Sequence, residues 1–178
     1  MPTFVEAIQS VESVPEFSRR LSDRVETVGE AVDALEAWIR ESRATHEDLL
    51  AEYEAVKSHA RDEIRRETDE SVEDVPAEEL LDHPAVSEAT KERLGESGTK
   101  LFAYLDAADS YGDARAELLG GLTAELELYE DLLSGVSAGE TSVAEAKQRI
   151  ARFARTDAVG PANRTAADVI LESTDGGE

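Results

Sequence analysis

The stretch VETVGEAVDALEAWIRESRATHEDLLAEYEAVKSHARDE, residues 25–63, decides the fold. A single seven-residue frame holds throughout it. Its a positions are Val25, Val32, Ile39, His46, Tyr53 and Ala60; its d positions are Val28, Leu35, Ser42, Leu49, Val56 and Glu63. Apolar residues recurring at a mean spacing of 3.5 build the narrow seam of a coiled coil. Branched residues open that seam, Ser42 and His46 loosen its middle, and its one glycine, Gly29, falls outside it. Ser13 and Glu16 stand at capping-box spacing, with Pro15 in the first turn where a missing N–H costs little. The pattern predicts one helix over 16–68.

Working outward, a second frame places Leu105, Gly112, Leu119, Leu126 and Leu133 at a, with Leu101, Ala108, Arg115, Leu122, Tyr129 and Val136 at d. This predicts a second arm over 100–134, in which Gly120 and Gly121 mark a kink or a close backbone approach. The segment 69–99 between the arms is acidic and carries Pro76 and Pro84, each opening a short helical stretch. Glu96, Ser97 and Gly98 read as a further break, with Thr99 as the next cap. Two heptad arms joined this way fold back as an antiparallel hairpin over 15–136. Because the second arm is the shorter, part of the first lacks a partner, and a homodimer completing a helical bundle is the simplest remedy.

The flanks repeat the capping logic. Thr3 and Glu6 open a short helix within 1–14, with Phe4, Val5, Ile8 and Val11 on one face. Ser142 and Glu145 open another that runs to about Arg155, with Val143, Ala146, Ile150 and Phe153 aligned. Gly160 and Pro161 break the chain, and Thr165 to Leu171 forms a last short helix, so that 141–172 is helical and 173–178 a disordered tail. The expected class is all-α: a long antiparallel coiled-coil-like hairpin with short flanking helices.

Charge bounds the working environment. Asp and Glu number 41 against 18 Lys and Arg, a net charge of −23, and only Lys57, Lys91, Lys100 and Lys147 are lysines. Such self-repulsion opposes compaction in dilute salt, whereas at about 1 M the Debye length falls to roughly 3 Å. High acidity, few lysines and small apolar residues resemble the proteins of salt-accumulating archaea. Acidity of that origin is no signature of a DNA-mimic surface, and it disfavours direct phosphate-backbone binding. The absence of cysteine excludes disulfides and thiolate chemistry. With no basic leader and no apolar run near 20 residues, a cytoplasmic protein without membrane association is expected.

Catalytic chemistry is not legible. Glu-x-x-His, the di-iron bundle signature, is absent: Arg43, Val56 and Leu80 precede His46, His59 and His83 at that spacing. His46 falls in the seam; His59 and His83 belong to a surface and a turn. Carboxylates are so frequent that Glu63 with Glu67, or Glu125 near Asp131, are read as solvated faces. Gly95 to Lys100 lacks the Gly-Lys-Ser/Thr ending and preceding strand of a phosphate loop. No catalytic, cofactor-binding or metal residues are therefore assigned, and the chain is expected to be non-enzymatic.

One segment departs from the general acidity. Lys147, Arg149, Arg152, Arg155 and Arg164, opposed only by Asp157, give 146–164 a net charge of +4. Its foremost reading is a helix docked on the acidic hairpin; the functional reading is a contact surface for nucleic acid or an acidic protein. The expected function is a coiled-coil scaffold or adaptor of a salt-adapted cytoplasm, working as a homodimer or on a protein partner. The alternatives are nucleic-acid association through the basic segment, and a chaperone-like hairpin. The latter is similar to prefoldin in outline, although no strand-forming segment lies between the arms.

Overall fold

The computed structural model describes residues 2–69, 71–156 and 164–175. All regular structure among them is helical: α1 (Phe4–Gln9), α2 (Val14–Glu67), α3 (Ala77–Asp82), α4 (Glu88–Ser137), α5 (Val143–Thr156) and α6 (Ala166–Asp175). No helix among the described residues is long and apolar enough to cross a membrane.

Local chemistry explains where these helices start and stop. Thr3 Oγ1 accepts from Glu6 N at 3.3 Å while Glu6 Oε2 accepts from Thr3 N at 3.1 Å, a complete capping box. Ser13 and Ser142 cap α2 and α5 through the amides of Glu16 and Glu145. At the start of α6 the bond runs the other way, with Thr165 N donating to Asp168 Oδ2 at 3.0 Å. Helix α4 ends in a Schellman motif: Glu140 N donates to Gly135 O and Gly139 N to Val136 O. That motif requires the left-handed backbone of Gly139, whose φ is +73°.

Helices α2 and α4 pack as an antiparallel pair. Arg24 meets Glu125, Ser42 meets Tyr104, and Glu63 meets Ser87, so one partner's number falls as the other rises. The seam is the predicted one: Val28, Leu35, Val56 and Ala60 of α2, and Leu101, Leu122, Tyr129 and Val136 of α4, are buried. Two expectations are corrected. First, no break occurs at Glu96 to Gly98, and α4 begins at Glu88 rather than at 100. A Cβ on Gly98 would lie 3.3 Å from the Tyr53 ring, so this glycine provides room for an aromatic ring rather than a turn. Second, α2 spans 54 residues and α4 spans 50, which removes the length mismatch that called for a second copy. Helix α4 also passes through Gly120 and Gly121 without interruption. Helix α6 continues to Asp175, past the expected Leu171 and into the expected tail. The Gly160–Pro161 break and residues 176–178 lie outside the described residues.

The chain divides into two compact units. One is built from Met1–Trp38 and Gly112–Glu178, the other from Ile39–Tyr111. In the first, Val5 and Ile8 of α1, Phe17 and Leu21 of α2, Leu132 of α4 and Ile150 of α5 are buried, and α1 contacts α5. The second has a core of Val56, Ala60, Ile64, Val72, Leu80, Val86 and Leu94, so the acidic turning region closes over an aliphatic cluster. Farther along the same unit, Tyr104 Oη donates to Ser42 O at 2.6 Å and lies 2.7 Å from Ser42 Oγ. The His46 ring stacks on Tyr104 at 6.5 Å. Thus the loosened middle of the seam is hydrogen-bonded rather than empty.

Candidate functional site

The basic segment does not form one surface. Lys147 Nζ donates to Gln9 O at 2.9 Å, and Gln9 Nε2 returns a bond to Lys147 O at 3.1 Å, tying α5 to the end of α1. Arg149 pairs with Asp131 of α4 at 2.7 Å, and Arg164 pairs with Glu172 of α6. Arg155 Nε donates to Ala151 O within its own helix. Arg152 and Arg155 point outward, while Lys147, Arg149 and Arg164 are only partly exposed.

The most concentrated chemistry lies in the first unit and was missed in the sequence. Arg24 of α2 is 7% exposed and Glu125 of α4 is fully buried. Arg24 Nε and Nη2 reach Glu125 Oε1 at 3.3 and 3.1 Å; Nη2 also reaches Thr165 Oγ1 at 2.8 Å and Asp168 Oδ1 at 2.9 Å. Thr165 Oγ1 donates in turn to Glu125 Oε1 at 3.0 Å. The guanidinium lies over the Phe4 ring, 4.9 Å from its centroid, and Phe4 in turn packs on Tyr129. Residues from α1, α2, α4 and the start of α6 therefore converge on one arginine. Tyr129 stands one turn beyond Glu125, but its hydroxyl and Glu125 Oε2 are buried without a partner in good hydrogen-bond geometry.

Electrostatics follow from this enclosure. Burial works against the charge on Arg24, but the carboxylates of Glu125 and Asp168 outweigh it and hold the pKa above its usual value. For Glu125 burial dominates and raises the pKa, although Arg24 and Thr165 oppose it. Burial and the neighbouring carboxylate also push the Tyr129 phenol up, keeping it neutral. Of the carboxylates expected on a solvated face, Glu67 and Asp131 are exposed, whereas Glu125 is enclosed and Glu63 caps α4. Glu63 accepts Ser87 N at 3.0 Å and the hydroxyls of Ser87 and Thr90 at 2.9 and 3.0 Å. Among the described residues no group of His, Asp and Glu is arranged to hold a metal ion.

Two clefts flank Phe4, and Arg24 reaches the wall of each. A cleft of about 420 Å³ carries Arg19, Arg20, Asp23, Arg24 and Thr27. The other, of about 470 Å³, sets Arg24 and Arg164 against Asp168 and Glu172.

A groove of different character lies in the second unit. Its volume is about 610 Å³, and its lining includes Tyr53 of α2, Leu81 of α3, and Gly95, Gly98, Phe102 and Ala103 of α4. Phe102 is 63% exposed and meets Tyr53 edge-on at 6.3 Å. A Cβ placed on Gly95 meets nothing within 4 Å, so the groove floor is open there. Comparison with protein-family models, with curated proteins and with solved structures finds no match to this chain.

Proposed function

We propose that this chain is a non-enzymatic coiled-coil adaptor of a salt-adapted cytoplasm that seats an amphipathic helix of a partner protein in the groove of its second unit. The supporting observation is the exposure of Phe102 beside a floor of small residues. Exposed aromatic rings bordering a well-shaped apolar pocket are the usual anchors of protein interfaces. Residues 95 and 102 are two helical turns apart on α4, so Gly95 leaves a gap beside Phe102 into which another helix's side chain fits. Glu78 lines the rim, and Glu79, Glu92 and Glu96 are exposed on the same two helices, which favours basic residues flanking the partner's apolar face. The nucleic-acid reading is left with the outward Arg152 and Arg155, a small electrostatic footprint.

A photoreactive phenylalanine analogue at position 102 tests this proposal in the native host at its own salt concentration. Adducts should map to an amphipathic helix of one partner. Gly95→Leu, which fills the gap without removing a contact, should abolish them while helicity is unchanged. Adducts only to this same chain would replace the adaptor with a self-assembling element. Adducts insensitive to Gly95→Leu would defeat the groove.

A further inference from the structure

The geometry points to a second site, in the first unit, that binds a phosphate group in the cleft between α1 and the early turns of α2. The lining of that cleft has three arginines, Arg19, Arg20 and Arg24, against one carboxylate, Asp23. In a chain whose acids outnumber its bases by 41 to 18, three arginines lining one cleft are distinctive, and the other carboxylates that pair with them, Glu16, Glu125 and Asp168, lie off that lining. The facing cleft has no such excess, because its two arginines meet two carboxylates.

Arg24 is what makes the cleft a built site. Its Nε and Nη2 are committed to Glu125, Thr165 and Asp168, whereas Nη1 has no hydrogen-bond partner among the described residues. A guanidinium fixed on one edge and open on the other is a preorganised donor, and its orientation costs little side-chain entropy on binding. The buried carboxylates thus act as positioning groups. Arg19 and Arg20 supply mobile charge at the mouth. Arg19 touches Asp23 only at 4.0 Å and Arg20 reaches Glu16 at 2.9 Å, in half-exposed or exposed pairs. Pairs of that kind are worth little, so both arginines can turn to an anion. Three guanidinium groups match the several oxygens and double charge of a phosphate better than those of a single carboxylate.

Calorimetric titration of the full chain at fixed high KCl, with inorganic phosphate in one arm and ATP in the other, decides the matter. Saturable binding is expected in at least one arm. Tighter binding of ATP would identify a phosphate ester as the ligand, and equal or tighter binding of inorganic phosphate the free ion. Arg19→Ala/Arg20→Ala should weaken binding at least tenfold while the melting temperature without ligand stays unchanged, since both side chains lie at the surface. Arg24→Lys, which retains charge but loses the fork, should also weaken it. Absence of saturable binding in both arms, or full binding by the Arg19→Ala/Arg20→Ala variant, would overturn the proposal.

Discussion

Arg24 and Glu125 show how much a fold can come to depend on one buried pair. Removing one partner strands the other charge in an enclosed site, which typically costs about 3–5 kcal/mol. Arg24→Met should therefore destabilise the chain by about that much, even with Asp168 nearby. Arg24→Met/Glu125→Leu should recover much of the loss, because apolar side chains of similar volume replace a buried pair at little net cost. Denaturant titrations of the two variants at one fixed KCl concentration provide the comparison, and a double variant no better than the single would contradict the account. None of this was readable along the chain. Arg24 and Glu125 flank the seam rather than occupy it, and are separated by 101 residues. Asp168 is farther still, and among so many carboxylates no local pattern distinguishes the buried one. The nearest available signal was Tyr129 in the seam, one turn from Glu125.

Among the helices, capping gave the most dependable information. Thr3 with Glu6, Ser13 with Glu16 and Ser142 with Glu145 each open the helix they announce, since these bonds form between residues three apart. Gly98 misled for the complementary reason: a glycine reserved for the Tyr53 ring looks, in sequence, like a glycine reserved for a turn. The start of α4 was hidden because part of its cap comes from another helix. Glu63 has a lowered pKa; partial burial opposes its ionisation, but the hydrogen bonds from Ser87 and Thr90 prevail. A carboxylate depressed in this way contributes stability above its unfolded value of 4.5, and the contribution disappears as pH falls through the folded value. Glu63→Ala should thus cost about 1 kcal/mol near neutrality, in the range of a lost helix cap. The deficit should shrink in strong acid. Thermal melts of both proteins across pH would show it, and a deficit constant down to strong acid would exclude the charged cap.

For the molecule as a whole, the governing quantity is the net charge of −23. The described ion pairs are mostly local and exposed, such as Lys91 with Glu88 and Arg65 with Asp62, and such pairs offset little of the general repulsion. Helicity should fall when KCl drops below about 0.5 M, as the Debye length lengthens toward roughly 10 Å at 0.1 M. Circular dichroism across a KCl series measures this directly; full helicity in dilute buffer would argue against salt adaptation. The division into units has a consequence for biosynthesis. Residues 39–111 are contiguous, and their cross-helix hydrogen bonds, such as Ser42 with Tyr104 and Glu63 with Ser87, lie within that one stretch, so they can form while synthesis continues. The other unit joins two segments on either side of it, 1–38 and 112–178, and its central arginine must wait for Thr165 and Asp168 to leave the ribosome. Until then the nascent chain holds a cation with half of its cage missing, and a segment made more than 140 residues later completes it.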